Sequence, residues 1–150
     1  YQSVANGINA LSDKIEHVLI HDVARPFVSK KIILKTLATL KAKGSCIVAK
    51  PVADTVKVVA EDIIKDTLSR DEIYLAQTPQ AFNKQALLRA YQQIDFIKFK
   101  PTDEASMLES LGENIHIVEG DLYNSKITLE SDLDLFRNIF SQRFLKDRQG

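Results

Sequence analysis

The sequence is short of the residues on which disulfide scaffolds, phosphate loops and membrane anchors depend. Its single cysteine, Cys46, can close no internal disulfide. It lies in the apolar run SCIVA at 45–49, which reads as a buried thiol in a reducing compartment. Only five glycines occur and none cluster, so no complete glycine-rich phosphate loop is present. No apolar run approaches the roughly 20 residues that span a bilayer, and no charged-then-apolar leader opens the chain. Neither charge is in excess: 20 Lys and Arg balance 20 Asp and Glu. That balance argues against a large nucleic-acid footprint or a polybasic membrane surface, while leaving room for a local cationic pocket. The three histidines have no metal-ligand spacing, and no Ser-His-Asp or Cys-His nucleophile pattern occurs. A cytoplasmic protein without nucleic-acid or membrane partners is expected.

What is present is a 150-residue chain, 45% hydrophobic, enough for one domain with a real core. Val4, Ile8, Leu11 and Ile15 recur at helical spacing behind Ser3 as the expected N-cap. Val18, Leu19 and Ile20 form a short strand running into His21 and Asp22. Ser29 caps a helix carrying Ile33, Leu37 and Leu40, closed by Gly44, and a strand follows at 45–49. From 51 to 70 the valines and isoleucines are split by Glu61-Asp62, the pattern of an extended hairpin arm. A strand at 73–76 ends at Thr78-Pro79, and a helix is expected over 83–93. Thr102 caps a helix that Gly112 closes, a strand occupies 115–118, and Thr128 starts a final helix with Leu133, Phe136 and Phe140. Short strands alternating with longer helices predict an α/β fold, a doubly wound and mostly parallel sheet. Ligands bind such sheets beyond the carboxyl ends of the strands. The polar clusters His21-Asp22, Gln77-Thr78 and 124–126 are expected there.

Each cluster admits two readings. In His21-Asp22-Val23-Ala24-Arg25, the strand-terminal carboxylate suits Mg²⁺ or a substrate hydroxyl and the arginine suits a phosphate. The same residues serve equally as a structural Asp–Arg pair before Pro26. Thr102-Asp103-Glu104 reads as a helix N-cap, and a threonine there can also hold a phosphate. Lys126, just ahead of a helix, either meets an anion or is a solvated loop residue. Asp54, Thr55, Lys57 and Arg70 bracket the arm and are locally ordinary exposed strand residues.

Taken together, SVANGINAL, VLIHDVARPFVS, PVADTVK, LSRDEIYLAQTPQAF, PTDEASMLE and EGDLYNSKIT resemble, in order and spacing, the 2-C-methyl-D-erythritol 4-phosphate cytidylyltransferases. The resemblance runs from Ser3 to about Phe136. It implies a Rossmann-like nucleotidyltransferase fold and a homodimer in which the arm reaches the partner subunit. The implied reaction, with Mg²⁺, joins CTP and methylerythritol 4-phosphate into diphosphocytidyl methylerythritol and pyrophosphate, a step of non-mevalonate isoprenoid synthesis. By the same resemblance, Ser3 touches the nucleotide, and Asp22 and Val23 lie at the ribose and the metal. Arg25, Thr55 and Arg70 bind the substrate phosphate, partly across the dimer. Thr102 and Lys126 meet the sugar-alcohol phosphate or the reacting phosphates, with Lys126 the transition-state cation and Asp22 its catalytic partner.

Against the family pattern, the first strand, the glycine-rich loop with its arginine and lysine, and an arginine expected shortly before Ser3 are absent. The 150 residues then correspond to the C-terminal two-thirds of a cytidylyltransferase domain. A chain that is inactive alone and marginally folded is expected, with apolar helix faces uncovered. Two alternatives stand beside this reading. One is a ribitol-5-phosphate cytidylyltransferase. The other is a non-catalytic dimerisation or ligand-binding remnant of the fold.

Overall fold

A computed structural model describes residues 2–144. In chain order the elements are α1 (Gln2–Asn9), β1 (His17–Ile20), α2 (Lys30–Lys43), β2 (Cys46–Pro51), β3 (Val56–Ala60) and β4 (Ile63–Leu68). They continue with β5 (Tyr74–Asn83), α3 (Lys84–Gln93), α4 (Glu104–Ser110), β6 (His116–Glu119) and α5 (Glu130–Phe144). Local chemistry sets most boundaries. The Ser29 side chain accepts from the Ile32 N–H to start α2, and Gly44, at φ 96°, ends it. The Asn83 side-chain Oδ1 accepts from the Gln85 and Ala86 N–H groups at the start of α3. Two expected boundaries move. Helix α1 already contains Ser3 and stops at Asn9, leaving Leu11 and Ile15 outside it and exposed. The buried Lys84 ammonium explains the stop: it donates to the carbonyls of Leu11 and Ser12, which a longer helix would have spent on its own N–H groups. Helix α5 begins at Glu130 rather than Thr128 and buries Phe136 against Phe27, rings 5.3 Å apart, while Leu133 and Phe140 stay exposed.

The main sheet has the order β1-β5-β2-β6. Strands β1, β2 and β6 share one direction, and β5 runs against both of its neighbours. The α/β fold is therefore as expected, but the sheet is mixed, because only the β2–β6 pairing is parallel. Connectivity is the cause. A crossover helix separates β1 from β2, whereas β2 and β5 are joined only through the β3–β4 hairpin, which can return the chain only antiparallel. Strand β5 also runs past Pro79 to Asn83, seven residues beyond the expected end at Ala76. Proline is tolerated there because the ladder is already broken. Gln77, Thr78 and Pro79 together face Val48 alone, between the pairs Ile47↔Gln80 and Ala49↔Ala76, and the Thr78-Pro79 bond is cis.

Side chains alternate across the sheet at period two. Val18, Ile47 and Phe82 face α1, α3 and α4, joining Ile8, Leu87, Met107 and Leu108. Cys46, Val48, Ala81 and Val118 face α2 with Ile32 and Leu40. Burial on both faces is the signature of a helix-covered sheet. Among the described residues β1 pairs on one side only, with β5, and an apolar groove of about 310 Å³ runs beside it, lined by Ser3, Val4, Ile8 and Val18.

The hairpin arm of β3 and β4 is as expected, with Glu61 and Asp62 both at positive φ in its turn. Val58, Val59, Ile63 and Ile64 on it are all exposed.

Burial pushes the Cys46 thiol up to about 11, and its Sγ donates to the Thr36 carbonyl. The folded protein should leave an aromatic disulfide reagent unreacted at pH 8, and one thiol should appear on unfolding in guanidinium. Rapid reaction of the native protein would contradict this packing.

Candidate active site

Strand β1 delivers its chain end at Ile20, opposite Gln80, and the next residues turn sharply beside the broken stretch of β5. Because β5 is antiparallel, its N-terminal half lies at the carboxyl ends of β1, β2 and β6. Gln77 and Thr78 therefore reach the rim from within a strand rather than from its end. The Asp22 N–H donates to Thr78 Oγ1 at 2.9 Å, and Thr78 Oγ1 lies 2.9 Å from His21 Nδ1. His21 Nε2 sits 3.0 Å from the Arg25 carbonyl. A carbonyl only accepts, so Nε2 carries the proton, and in the neutral ring Nδ1 takes the Thr78 hydroxyl proton. The Arg25 N–H closes the turn on the Asp22 carbonyl at 2.9 Å.

That turn presents one carboxylate oxygen to two cations. Asp22 Oδ2 lies 3.1 Å from Lys126 Nζ and 3.3 Å from Arg25 Nε. The Arg25 guanidinium is nearly buried, while the Asp22 and Lys126 side chains are 35% and 45% exposed. A pair so open to water contributes only about 0–1 kcal/mol to folding. Its arrangement therefore does little for stability and leaves both charges within reach of a ligand.

The loop bearing Lys126 is tied down on both sides. The Ile127 N–H donates to the Ala24 carbonyl at 2.9 Å. Downstream, the Asp132 carboxylate collects the N–H groups of Thr128 and Leu129 and the Thr128 hydroxyl. The Thr128 N–H foremost, then that of Leu129, holds the Asp132 carboxyl below its usual value.

These groups open onto a pocket of about 430 Å³ that also includes Gln77, Thr78, Gln80 and Thr102. The structure thus brings four expected site residues together: Asp22, Arg25, Thr102 and Lys126. The other four do not line it. Ser3 lies in the groove beside β1, and Val23 projects outward, 95% exposed. Thr55 and Arg70 belong to the base of the arm, where Arg70 Nη1 donates to the Ala53 carbonyl at 2.8 Å. Thr102 is not the helix cap. Asp103 is, accepting from the Ser106 N–H while Ser106 Oγ reaches back to the cap backbone. A carboxylate and a reciprocal serine supply the cap without the Thr102 hydroxyl.

Sequence reasoning noticed Gln77, Thr78 and Asn124 at the rim without assigning them a task. In the structure Thr78 fixes the His21–Asp22 turn, and Asn124, fully buried, links that turn to β5. The pocket's ionisable lining is three carboxylates, Asp22, Asp103 and Glu104, against two cations, Arg25 and Lys126. Asp103 is committed to its cap and to Gln80, and Glu104 accepts from the Tyr91 hydroxyl at 3.0 Å.

Comparison with known proteins gives a consistent set of likenesses. A family model described as 2-C-methyl-D-erythritol 4-phosphate cytidylyltransferase matches residues 1–142. The Geobacter metallireducens protein of that name is 39% identical, covering 98% of this chain and 62% of the relative. The Bacillus cereus protein of that name is 42% identical, covering 87% of this chain and 58% of the relative. The crystal structure of 4-diphosphocytidyl-2C-methyl-D-erythritol synthase from Anaerococcus prevotii matches with a TM-score of 0.82 at 36% identity. It covers 94% of this chain and 65% of that one. The chain spans less than two-thirds of the length of each.

Gly120, at the end of β6, makes the close approach of Gln77 possible, since a Cβ there would collide with the Gln77 side chain and with Val48 Cγ1. Gly120→Ala should lower stability by about 1–3 kcal/mol, read from denaturant midpoints. An unchanged midpoint would show that Gln77 is not held where the geometry puts it.

Proposed function

This chain belongs to the 2-C-methyl-D-erythritol 4-phosphate cytidylyltransferase family, and from that membership we propose that its pocket serves cytidylyl transfer from CTP to 2-C-methyl-D-erythritol 4-phosphate. The observation that carries the proposal is the convergence of Arg25 and Lys126 on one oxygen of Asp22 in a pocket that also holds Thr102. The names of the relatives favour the methylerythritol acceptor over ribitol 5-phosphate.

In this reaction an oxygen of the acceptor phosphate attacks the α-phosphorus of CTP. A new P–O bond forms, and the bond to the β-phosphate breaks, its electron pair leaving with pyrophosphate. The protein's task is chiefly to hold the two phosphates in line and offset charge at a crowded centre. Lys126 meets the oxygens that gain charge, and Arg25, fixed by its hydrogen bonds, braces the acceptor phosphate. Asp22 aligns both cations, and the Thr102 hydroxyl donates to the acceptor phosphate. Ser3 and Val23 contact the nucleotide, while Thr55 and Arg70 act on the substrate phosphate of a partner subunit.

The pocket's balance of three carboxylates and two cations does not by itself favour polyanions. Mg²⁺ supplies positive charge to the phosphates when bound. Among the described residues no three His, Cys, Asp or Glu side chains converge as a metal cage. Mg²⁺ would need none, because it binds through one or two carboxylates and the substrate's phosphates, and Asp22 would be the carboxylate that holds it. The exposed valines and isoleucines of the arm favour a homodimer in which the arm packs on a second subunit, since a two-stranded hairpin is marginal alone. The buried, un-ionised thiol favours a cytoplasmic setting, and no helix among the described residues is long and apolar enough to cross a membrane.

In a full-length protein containing these residues, Lys126→Ala should lower kcat/KM by a factor on the order of 10²–10³, with circular dichroism unchanged. Asp22→Asn should fall in the same range. Wild-type turnover in both variants would remove this pocket from the reaction.

A further inference from the structure

Asn124 has no counterpart among the residues that meet phosphate, yet it is the most completely enclosed polar side chain near the pocket, with no exposed surface. Its Nδ2 donates to Gln77 Oε1 at 3.0 Å and to the Thr78 carbonyl at 2.8 Å, spanning the stretch where β5 loses its ladder. Its backbone N–H is taken by Asp121 Oδ1 at 2.9 Å, and its backbone carbonyl accepts from Arg25 Nη1 at 2.9 Å. Neither acceptor of the carboxamide is ambiguous. The Thr78 carbonyl can only accept, and Gln77 turns its own Nε2 to the Asp121 carbonyl at 3.3 Å, leaving Oε1 free to accept.

Both cations on Asp22 therefore trace back to this residue. Arg25 is gripped by the Asn124 carbonyl, and Lys126 stands two residues along from a side chain bolted to β5. We propose that Asn124 is a positioning residue, setting the Arg25 guanidinium and the Lys126 ammonium against the Asp22 carboxylate. Its Oδ1 is buried with no partner, a desolvation cost that an apolar side chain would avoid. Stability alone does not call for asparagine there. Two donors aimed at adjacent acceptors on β5 do.

The inference rests on the reading that Lys126 serves the reacting phosphates, but its test does not need turnover. The probe is a water-soluble acylating reagent, with the labelling of Lys126 taken relative to that of exposed Lys98 in the same molecule by peptide mass spectrometry. Asn124→Asp keeps the shape and replaces both donors by acceptors. It should raise the Lys126 to Lys98 ratio about threefold, the scale on which a partly exposed ion pair protects. Gln77→Leu removes only one acceptor and should raise the ratio less, and it decides the matter if Asn124→Asp does not fold. An unchanged ratio in a folded Asn124→Asp protein, or in Gln77→Leu if that is the only folded variant, overturns the proposal. In the full-length enzyme the same substitution should lower kcat with little effect on the KM for CTP. A raised labelling ratio with no transfer by the unsubstituted full-length enzyme would keep the positioning role and sink the assigned reaction instead.

Discussion

One carboxylate oxygen organises the site. Asp22 Oδ2 draws Arg25 from its own turn and Lys126 from a loop a hundred residues later. Three irregularities of the fold lie around that meeting. The broken pairing at 77–79 turns Thr78 toward the Asp22 N–H. The missing Cβ at Gly120 lets Gln77 close behind it. The buried amide of Asn124 joins the two halves. The core explains why these departures are tolerated. Phe82, Leu87, Met107, Leu108, Val48 and Val118 are fully buried on the two faces of the sheet. Each contributes roughly 1.5–3 kcal/mol on burial, against about 1 kcal/mol for the exposed ion pair.

The parts of this arrangement that local chemistry dictates were legible in the sequence. Ser29 and Gly44 bound α2, Gly112 follows α4 at positive φ, and Glu61-Asp62 turns the arm. The approach of Asp22, Arg25, Thr102 and Lys126 followed from strand-end logic together with the family resemblance. What depended on long-range partners was not legible. The direction of β5 follows from having only a hairpin between it and β2. The early end of α1 follows from a lysine 73 residues away from Leu11. Asn124 reads on paper as a loop residue, because nothing in the string Asn-Ser-Lys reveals that its amide is enclosed. Thr102 lost the cap to Asp103, its stronger and better-placed neighbour.

Two surfaces remain polarised in a way the pocket alone does not resolve. The arm shows valine and isoleucine to water on a two-stranded sheet, the kind of element that gains stability by packing on something else. The pocket carries more carboxylate than cation, so a polyanionic substrate needs positive charge beyond Arg25 and Lys126. Both features fit a site completed by additional groups, with the Asp22 cluster as its fixed part.

The most direct test of that cluster is nuclear magnetic resonance of the chain carrying ¹³C at the Asp22 carboxyl and ¹⁵N at Lys126 Nζ, titrated with inorganic pyrophosphate and Mg²⁺. The account predicts that the two resonances move together along one saturation curve, because a phosphate entering the pocket must disturb both partners of a 3.1 Å contact. Movement of one without the other, or of neither at saturation elsewhere in the spectrum, would contradict it.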